Sequence, residues 1–128
     1  MILGVGTDLV AVERIRRALD RHGERFLERV LTSGERSVCS GRADPALCVA
    51  SRFAAKEGAA KALGTGFGGE VRLTDLEVVR SPGRAPELRL HGGAARRAQA
   101  MGVVWSHLSL SDEQGYALAV VVLEGEGR

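Results

Sequence analysis

Hydrophobic and polar positions alternate over residues 2–10 with the two-residue period of a β-strand. Gly4 and Gly6 occupy alternate positions, with the apolar Val5 between them. The pattern predicts a glycine-rich first strand that carries Asp8 near its end. Because glycine has no side chain, another backbone or a ligand can approach this strand closely.

Apolar residues at helical spacing follow over 12–29, where many charged residues separate them. His22 and Gly23 interrupt this pattern, so we predict a helix that is broken or bent there. A second short helix is predicted to begin soon afterwards, capped by the side chain of Thr32 or Ser33.

Residues 46–63 are rich in alanine, the residue with the highest helix propensity. Pro45 suits the first turn of a helix, and Gly64 suits the position after its last turn. The sequence therefore predicts a long helix whose small side chains permit close packing.

The second half of the chain has mainly the period of strands, interrupted by one short helix. The turn signal Ser81-Pro82-Gly83 separates two of these strands and predicts a hairpin. Strands and helices do not alternate strictly, which favours one α+β domain over residues 1–128, with antiparallel strands packed on the alanine-rich helix, over a doubly wound fold. The predicted strands are 71–73, 76–79, 88–90, 103–105 with 107–110, and 116–123, and the helix is 94–101.

The composition is typical of a soluble globular protein: of 128 residues, 45% are hydrophobic and 27% are charged. Apolar runs stay short of the ~20 residues that span a bilayer, and the first residues lack the basic start of a signal peptide. We therefore expect a cytoplasmic protein. A net charge of +2 and an aromatic content of 4% argue against nucleic-acid binding.

Two cysteines, Cys39 and Cys48, lie nine positions apart, without a second pair or a nearby histidine cluster. This spacing excludes the usual zinc sites. We expect both residues to be reduced structural thiols.

In the alanine-rich helix, Ala50, Phe53, Glu57 and Lys61 recur every three or four residues and so share one face. Charged groups beside a buried stripe are costly to desolvate unless they are paired or meet a ligand. One interpretation is a surface ion pair between Glu57 and Lys61, worth only ~0.3–0.5 kcal/mol. The other is a ligand site.

Asp8 could supply a second carboxylate to such a site. Asp8 with Glu57 would suit Mg²⁺, which binds one or two carboxylates, keeps several waters and bridges to substrate phosphates. The alternative is that Asp8 caps the first helix, because it precedes that helix by a few residues.

The glycine-rich loop after Lys61 begins with Gly64, Thr65 and Gly66. Its backbone N–H groups and the neighbouring ammonium could bind phosphates. However, the loop leaves the C-terminus of a helix, which repels anions, so a flexible capping turn is the alternative.

Four arginines recur every three or four residues in the first helix and line one face, with Phe26 beside it. This face would suit an acidic helix of a protein partner. Alternatively, neighbouring glutamates neutralise a solvated face. The arginines are Arg14, Arg17, Arg21 and Arg25, and the glutamates are Glu13, Glu24 and Glu28.

Four segments occur together in a fixed order. They are Gly-Val-Gly-Thr-Asp at 4–8 with Glu-Arg-Ile at 13–15, Phe-Leu-Glu-Arg-Val-Leu-Thr at 26–32, Arg-Phe-Ala-Ala-Lys-Glu at 52–57 with Lys-Ala-Leu-Gly-Thr-Gly at 61–66, and His-Leu-Ser-Leu-Ser at 107–111. With these segments the chain resembles bacterial holo-acyl-carrier-protein synthases, the small class of phosphopantetheinyl transferases, over nearly its whole length.

The resemblance implies an α+β fold that assembles as a homotrimer with active sites between subunits. It implies an enzyme that transfers the phosphopantetheine arm of coenzyme A to a serine of an acyl carrier protein, in fatty-acid or polyketide biosynthesis. Asp8 and Glu57 would hold Mg²⁺ together with the coenzyme A pyrophosphate. Lys61 would contact the same phosphates and help 3′,5′-ADP to leave.

The resemblance also assigns binding residues. Arg52 and His107 would lie near the nucleotide end of coenzyme A, at the 3′-phosphate, and the loop 64–66 would border the phosphates. An acidic helix of the carrier would meet a basic surface in a contact that is sensitive to salt. That surface consists of Arg14, Arg21, Arg25 and Phe26.

Asp112 stands where family members commonly have a second histidine. A carboxylate there would oppose phosphate binding by like charge, or it could form a turn with residues 113–115. In the first case the chain could be a module that binds coenzyme A or a carrier without efficient transfer. A third hypothesis, a generic magnesium-dependent nucleotide binder, does not require the basic first helix.

Gly58, where many relatives have alanine, should weaken the long helix by ~0.5–1 kcal/mol.

Overall fold

The glycine-rich first strand lies beside the last strand of the chain. In the computed structural model, which describes residues 1–127, β1 (Ile2–Ala11) pairs antiparallel with β5 (Tyr116–Glu124). β5 also pairs antiparallel with β4 (Trp105–Glu113), so the sheet order is β1-β5-β4. The predicted first and last strands are confirmed.

A separate hairpin is formed by β2 (Leu76–Val79) and β3 (Glu87–Leu90), as the turn signal predicted. The predicted strand at 71–73 is wrong. A 3₁₀ turn, Leu73–Asp75, lies there instead, and the Asp75 carboxylate accepts a hydrogen bond from the backbone N–H of Arg72 at 3.0 Å. This local side-chain bond competes with strand pairing.

The first helical segment is broken as predicted. It comprises α1 (Val12–His22) and α2 (Glu24–Val30), separated by Gly23 with φ of 54°. The next helix, α3 (Ser33–Ser40), begins with a capping box in which the Thr32 side chain accepts from the backbone of Glu35 and the Glu35 carboxylate accepts from Thr32.

The predicted long helix is α4 (Pro45–Leu63), with Pro45 in its first turn. Gly64 follows it in the left-handed conformation at φ of 73°, which glycine adopts without strain. The last helix is α5 (Gly92–Met101). Within the described residues, none of the helices is long and apolar enough to cross a membrane.

The core lies where α4 crosses β1 and β5. Small residues bring the backbones together: a side chain on Gly6 would collide with the carbonyl oxygen of Gly58. Ala54 and Ala59 of the same helix are fully buried. The α+β prediction, with antiparallel strands packed on an alanine-rich helix, is confirmed.

The expectation of reduced thiols is wrong, because Cys39 and Cys48 form a disulfide. Cys39 lies in the last turn of α3 and Cys48 in the first turn of α4, and their Cα atoms are 5.4 Å apart. This separation lies within the range that a disulfide spans. The sequence spacing could not show that the intervening loop reverses direction.

Candidate active site

The close packing of β1 on α4 brings Asp8 and Lys61 together. The Lys61 ammonium donates to the Asp8 carboxylate at 3.2 Å and to the backbone carbonyl of Thr7 at 2.8 Å. The surface-pair interpretation of Glu57 with Lys61 is therefore not what the structure shows. Nor does Asp8 cap α1, whose N-cap is Ala11 without a side-chain capping bond.

Glu57 lies half-buried one helical turn before Lys61. Burial raises the pKa of its carboxyl above the ordinary value, and the negative charge of Asp8 raises it further, whereas Lys61 and Arg14 oppose this. The two carboxylates thus share one electrostatic site, which a cation would stabilise.

Carboxylate oxygens are the ligands that Mg²⁺ prefers, so this donor set fits such an ion. The described residues contain no group of three or more histidine, cysteine or acidic side chains that could enclose a metal. An ion held by Asp8 and Glu57 would therefore take its other ligands from water and substrate.

The basic face of α1 reaches this site through Arg14, whose guanidinium lies 5.8 Å from the centre of the Phe53 ring on α4. The ion pair that Glu13 makes is with Arg16, at 3.4 Å, and not with one of the four aligned arginines. Glu13 therefore does not neutralise the aligned arginines through an ion pair.

Arg25 does not lie on the first helix, where the spacing placed it, because the helix breaks at Gly23 and Arg25 belongs to α2. There Arg25 and Phe26 line an open cleft of about 390 Å³.

The loop after α4 is first of all a helix cap. The backbone N–H of Gly64 donates to the Lys61 carbonyl at 3.1 Å, and that of Thr65 donates to the Ala60 carbonyl at 3.2 Å. Gly66 follows with φ of 63°. The first two amides of the loop are thus engaged, which supports the capping-turn alternative at those positions.

Arg52 lies farther from the Asp8 cluster, toward the start of α4. It is 7% exposed, its Nη1 donates to the Cys48 carbonyl at 3.3 Å, and its Nε is buried without a hydrogen-bond partner. An unpartnered buried donor is costly, so this guanidinium is poised to bind an acceptor.

Arg52 lines a cavity of about 370 Å³ with two further arginines, Arg42 and Arg80, and we call it the arginine cavity. Burial lowers the pKa of Arg52, the charge of Glu35 opposes this, and the charges of Arg42 and Arg80 add to it. The sequence alone does not single out Arg42 and Arg80, because nothing in their local pattern distinguishes them from solvated arginines.

Asp112 also lines the arginine cavity. It pairs with Ala117 within the β4–β5 ladder, and the hairpin turns at Gln114 and Gly115, with φ of 50° and 82°. The suggestion that Asp112 itself forms the turn is therefore wrong. Its carboxylate and that of Asp44 add negative charge to a cavity that three arginines also line.

His107 is not brought to this cavity within one chain. Leu110 and Asp112 of β4 face the arginine cavity, whereas His107 is at an odd-numbered position and lies on the opposite face of the strand. Its Nε2 lies 2.9 Å from the Glu124 carboxylate.

The same outer face of the sheet exposes large apolar side chains. Leu9 is 62% exposed and Val5 58% exposed. In an isolated domain, neighbouring exposed apolar residues of this size mark an interaction surface. We call it the outer sheet face, and its other exposed apolar members are Trp105, Tyr116 and Leu118.

Comparison with known proteins identifies relatives along nearly the whole chain. Residues 4–121 match the family described as the 4′-phosphopantetheinyl transferase superfamily. The holo-[acyl-carrier-protein] synthase of Halorhodospira halophila is 55% identical over 123 residues, covering 96% of this chain and 98% of the relative.

Solved structures are similar over the same extent. The crystal structure of the holo-[acyl-carrier-protein] synthase from Neisseria meningitidis matches with a TM-score of 0.90 at 36% identity, covering 97% of this chain and 99% of the other. The Helicobacter pylori enzyme in complex with coenzyme A matches with a TM-score of 0.82 at 32% identity, covering 94% and 99%.

Proposed function

Because this chain belongs to the 4′-phosphopantetheinyl transferase superfamily, we propose that it transfers the phosphopantetheine arm of coenzyme A to a serine of an acyl carrier protein. The observation that carries this proposal is the convergence of Asp8, Glu57 and Lys61 where β1 meets α4. Two carboxylates and an ammonium at one point suit the transfer of a phosphate-linked group, because that reaction requires neutralisation of phosphate charge.

In this reaction the carrier serine oxygen attacks the phosphorus that bears the pantetheine arm, and 3′,5′-ADP departs. Asp8 and Glu57 would hold Mg²⁺, which supplies charge neutralisation for the pyrophosphate. Lys61 binds the same phosphates and stabilises the charge that develops on the leaving group. Its present hydrogen bonds to Asp8 and Thr7 already hold the ammonium at this point.

The nucleotide end of coenzyme A is assigned to the arginine cavity. The unpartnered Nε of Arg52 is a donor for the 3′-phosphate, and the charges of Arg42 and Arg80 favour an anion there. Residues of the loop 64–66 would border the phosphates between this cavity and Lys61, through groups other than the two engaged amides.

The basic face of α1 and α2 is assigned to the carrier. The exposed Arg14, Arg21 and Arg25, with Phe26 beside them, would bind an acidic helix of the carrier. Such a surface steers encounter and weakens as salt screens it. We place the reaction in the cytoplasm, in the synthesis of fatty acids or polyketides.

The homotrimer that the family resemblance implies is proposed here as well, and the outer sheet face supports an assembly of several copies. That apolar face needs a cover, and further copies of the chain can provide it. Moreover, His107 lies on this face, whereas Arg52 lies on the other side of the sheet. A site that uses both residues needs two subunits, each supplying one of them.

Charge reversal on the basic face of α1 and α2 separates a transferase from a generic nucleotide binder. In the double variant Arg21→Glu/Arg25→Glu, which leaves Arg14 beside Glu57 intact, we expect carrier modification to fall by about tenfold or more at low salt, because steering is lost. Coenzyme A binding, measured by calorimetry, should be unchanged. The matched control is Arg84→Glu, an exposed arginine in the β2–β3 turn. Equal losses in the control would overturn the assignment of the basic face to the carrier, and no modification by the unaltered protein would overturn the proposed function.

A further inference from the structure

The Cys39–Cys48 disulfide stands directly beside the arginine cavity. Both residues are nearly buried, at 2% and 7% exposure, but Cys48 lines the cavity. The backbone carbonyl of Cys48 also accepts the hydrogen bond from Arg52. The disulfide is thus attached to the residue that holds the buried guanidinium in place, at the surface of the cavity.

The chain between the two cysteines forms one wall of the same cavity, through residues 42–44 and Leu47. The hydrogen bonds of residues 40–44 join groups that are near neighbours in sequence. Within the described residues, one longer-range contact departs from this pattern: the Asp44 carboxylate lies 3.5 Å from the Arg16 guanidinium, and both side chains are 47% exposed. An exposed ion pair of this kind contributes ~0–1 kcal/mol. The backbone N–H groups of Gly41 and Arg42 donate to α3 carbonyls at 3.3 and 3.2 Å, and the disulfide is the covalent cross-link that closes this loop between α3 and α4.

We propose that Cys39 and Cys48 form a thiol–disulfide switch that sets the affinity of the arginine cavity for the nucleotide end of coenzyme A. The proposal rests on the proposed function, which assigns the nucleotide end to this cavity. With the disulfide formed, the wall is fixed and Arg42 is preorganised for an anion. With the disulfide reduced, the wall becomes mobile. Nucleotide binding must then order the wall, and this cost weakens the binding.

The switching step is thiol–disulfide exchange with a dithiol. One thiolate of the dithiol attacks the Cys48 sulfur, the bond to Cys39 breaks, and Cys39 leaves as a thiolate that takes up a proton. The second thiolate of the dithiol then attacks the dithiol sulfur that is bonded to Cys48. The dithiol thereby closes into a disulfide, and Cys48 is released as a thiolate. Two electrons pass from the dithiol to the protein, and an oxidised dithiol reverses the step. In a cytoplasmic protein a disulfide of this kind is usually transient or redox-sensing.

The switch should act on nucleotide binding rather than on the chemical step. Cys48 and Glu57 lie on the same helix, about 14 Å apart along its axis. The core that fixes the second half of α4 against β1 does not include residues 41–44, which are exposed. Reduction should therefore raise KM for coenzyme A and leave kcat nearly unchanged.

The test compares the oxidised protein with the same protein reduced by a dithiol, with the redox state verified by maleimide labelling and intact mass. We expect reduction to weaken binding of 3′,5′-ADP about threefold to tenfold by calorimetry, as befits one or two side chains that must be ordered. KM for coenzyme A should rise by a similar factor, with kcat within about twofold. Bound 3′,5′-ADP should also slow reduction, because it blocks access to Cys48.

The control is the variant Cys39→Ala/Cys48→Ala, which should bind like the reduced protein and ignore the dithiol. Equal 3′,5′-ADP affinity in the two redox states, or no binding in either, would overturn the switch. So would failure of an oxidised dithiol to form the disulfide. If 3′,5′-ADP binding responds to redox state but no carrier is modified, the proposed function fails and the switch stands as a property of the nucleotide site.

Discussion

Lys56 is a fully buried cation, and its single ion pair with Glu35 holds three elements together. The Lys56 ammonium donates to the Glu35 carboxylate at 2.6 Å and to the Leu73 carbonyl at 3.0 Å. The other Glu35 oxygen accepts from the backbone N–H of Val78 at 2.9 Å. Burial lowers the pKa of Lys56, and Glu35 opposes this by charge and by hydrogen bonding. The pair thereby links α3, α4 and β2.

We predict that Lys56→Met destabilises the fold by about 3–5 kcal/mol, because it leaves the Glu35 carboxylate buried without a counter-charge. Urea denaturation monitored by circular dichroism measures the change. The double variant Glu35→Gln/Lys56→Met should recover part of the loss, since both charges of this ion pair are removed together. A loss below about 1 kcal/mol in the single variant would show that the pair is not a major constraint.

For individual residues, the sequence predicted which side chains belong to the candidate site better than it predicted which side chains contact each other. It identified Asp8, Glu57 and Lys61 as candidates, because carboxylates and a lysine near glycines and an apolar stripe are unusual. It did not predict that Lys61 pairs with Asp8, because these two residues are distant in sequence. Glu57, four residues before Lys61 on the same helix, was an equally plausible partner. The burial of Lys56 also escaped prediction, since its position alone does not distinguish a buried lysine from an exposed one.

Two glycines lie where α4 contacts β1, and they differ in whether the packing leaves room for a side chain. A side chain at Gly6 would collide with the backbone carbonyl of Gly58, which cannot move without displacing the helix. A side chain at Gly58 would instead meet the Val121 side chain at 3.4 Å, an ordinary contact distance.

We therefore predict that Gly58→Ala stabilises the protein by about 0.5–1 kcal/mol, because alanine has the better helix propensity. Gly6→Ala should destabilise it by about 1–3 kcal/mol, because the helix must shift. Thermal and urea unfolding of the two variants measure both values. A destabilised Gly58→Ala would mean that α4 packs more tightly than the structure shows.

Glu77 connects the hairpin to neighbouring elements and makes the stability sensitive to acid. Its hydrogen bond with His91, at 3.0 Å, is the main cause that lowers its pKa, and a hydrogen bond from Thr32, at 2.9 Å, acts in the same direction. A lowered pKa in the folded state means that this stability is present above the ordinary carboxyl pKa and is lost as the pH falls through the lowered value.

We predict that Glu77→Gln is less stable than the unaltered protein by about 1 kcal/mol near pH 7, because the charged hydrogen bonds are weakened. The difference should shrink as the pH falls below the ordinary carboxyl range, where Glu77 of the unaltered protein is protonated as well. Urea unfolding at a series of pH values measures it. A difference that stays constant across the series would assign the effect to packing rather than to charge.

Elements were predictable where local signals decide them. Alanine content, Pro45 and Gly64 predicted α4 because propensity and capping act within the helix itself. The segment 71–73 was predicted wrongly, because its alternating pattern is that of a strand while the Asp75 side chain binds the local backbone instead. The order of strands within the sheet depends on pairing between distant segments and could not be inferred from periodicity.

The proposed active site is complete only in the assembly, because Arg52 and His107 would come from different subunits. We predict that the protein in solution has three times the mass of one chain by light scattering. Leu9→Glu on the outer sheet face should give monomers, because a charge cannot be buried there without a partner. Val38→Glu is the control, since Val38 is a similarly exposed apolar residue on α3, at 43%.

Because His107 and Arg52 lie on opposite sides of the sheet, the monomeric variant should lose most of its transferase activity while keeping its fold by circular dichroism. A fully active monomer would overturn the proposal that sites form between subunits. The sequence suggested the trimer through family resemblance alone, because periodicity within one chain predicts which face is apolar but not what covers it. That residues 1–128 form one domain stays a prediction of the same kind.

We propose that this chain transfers phosphopantetheine with Glu57 at its metal site. The intact mass of an apo acyl carrier protein, measured after incubation with this chain, coenzyme A and Mg²⁺, tests this when Glu57→Gln and the matched exposed variant Glu126→Gln are run alongside. We predict a mass gain of one phosphopantetheinyl group that Glu57→Gln loses and Glu126→Gln keeps. No gain on several carriers, despite measurable coenzyme A binding, would contradict the claim and favour a binding module in which Asp112 blocks transfer.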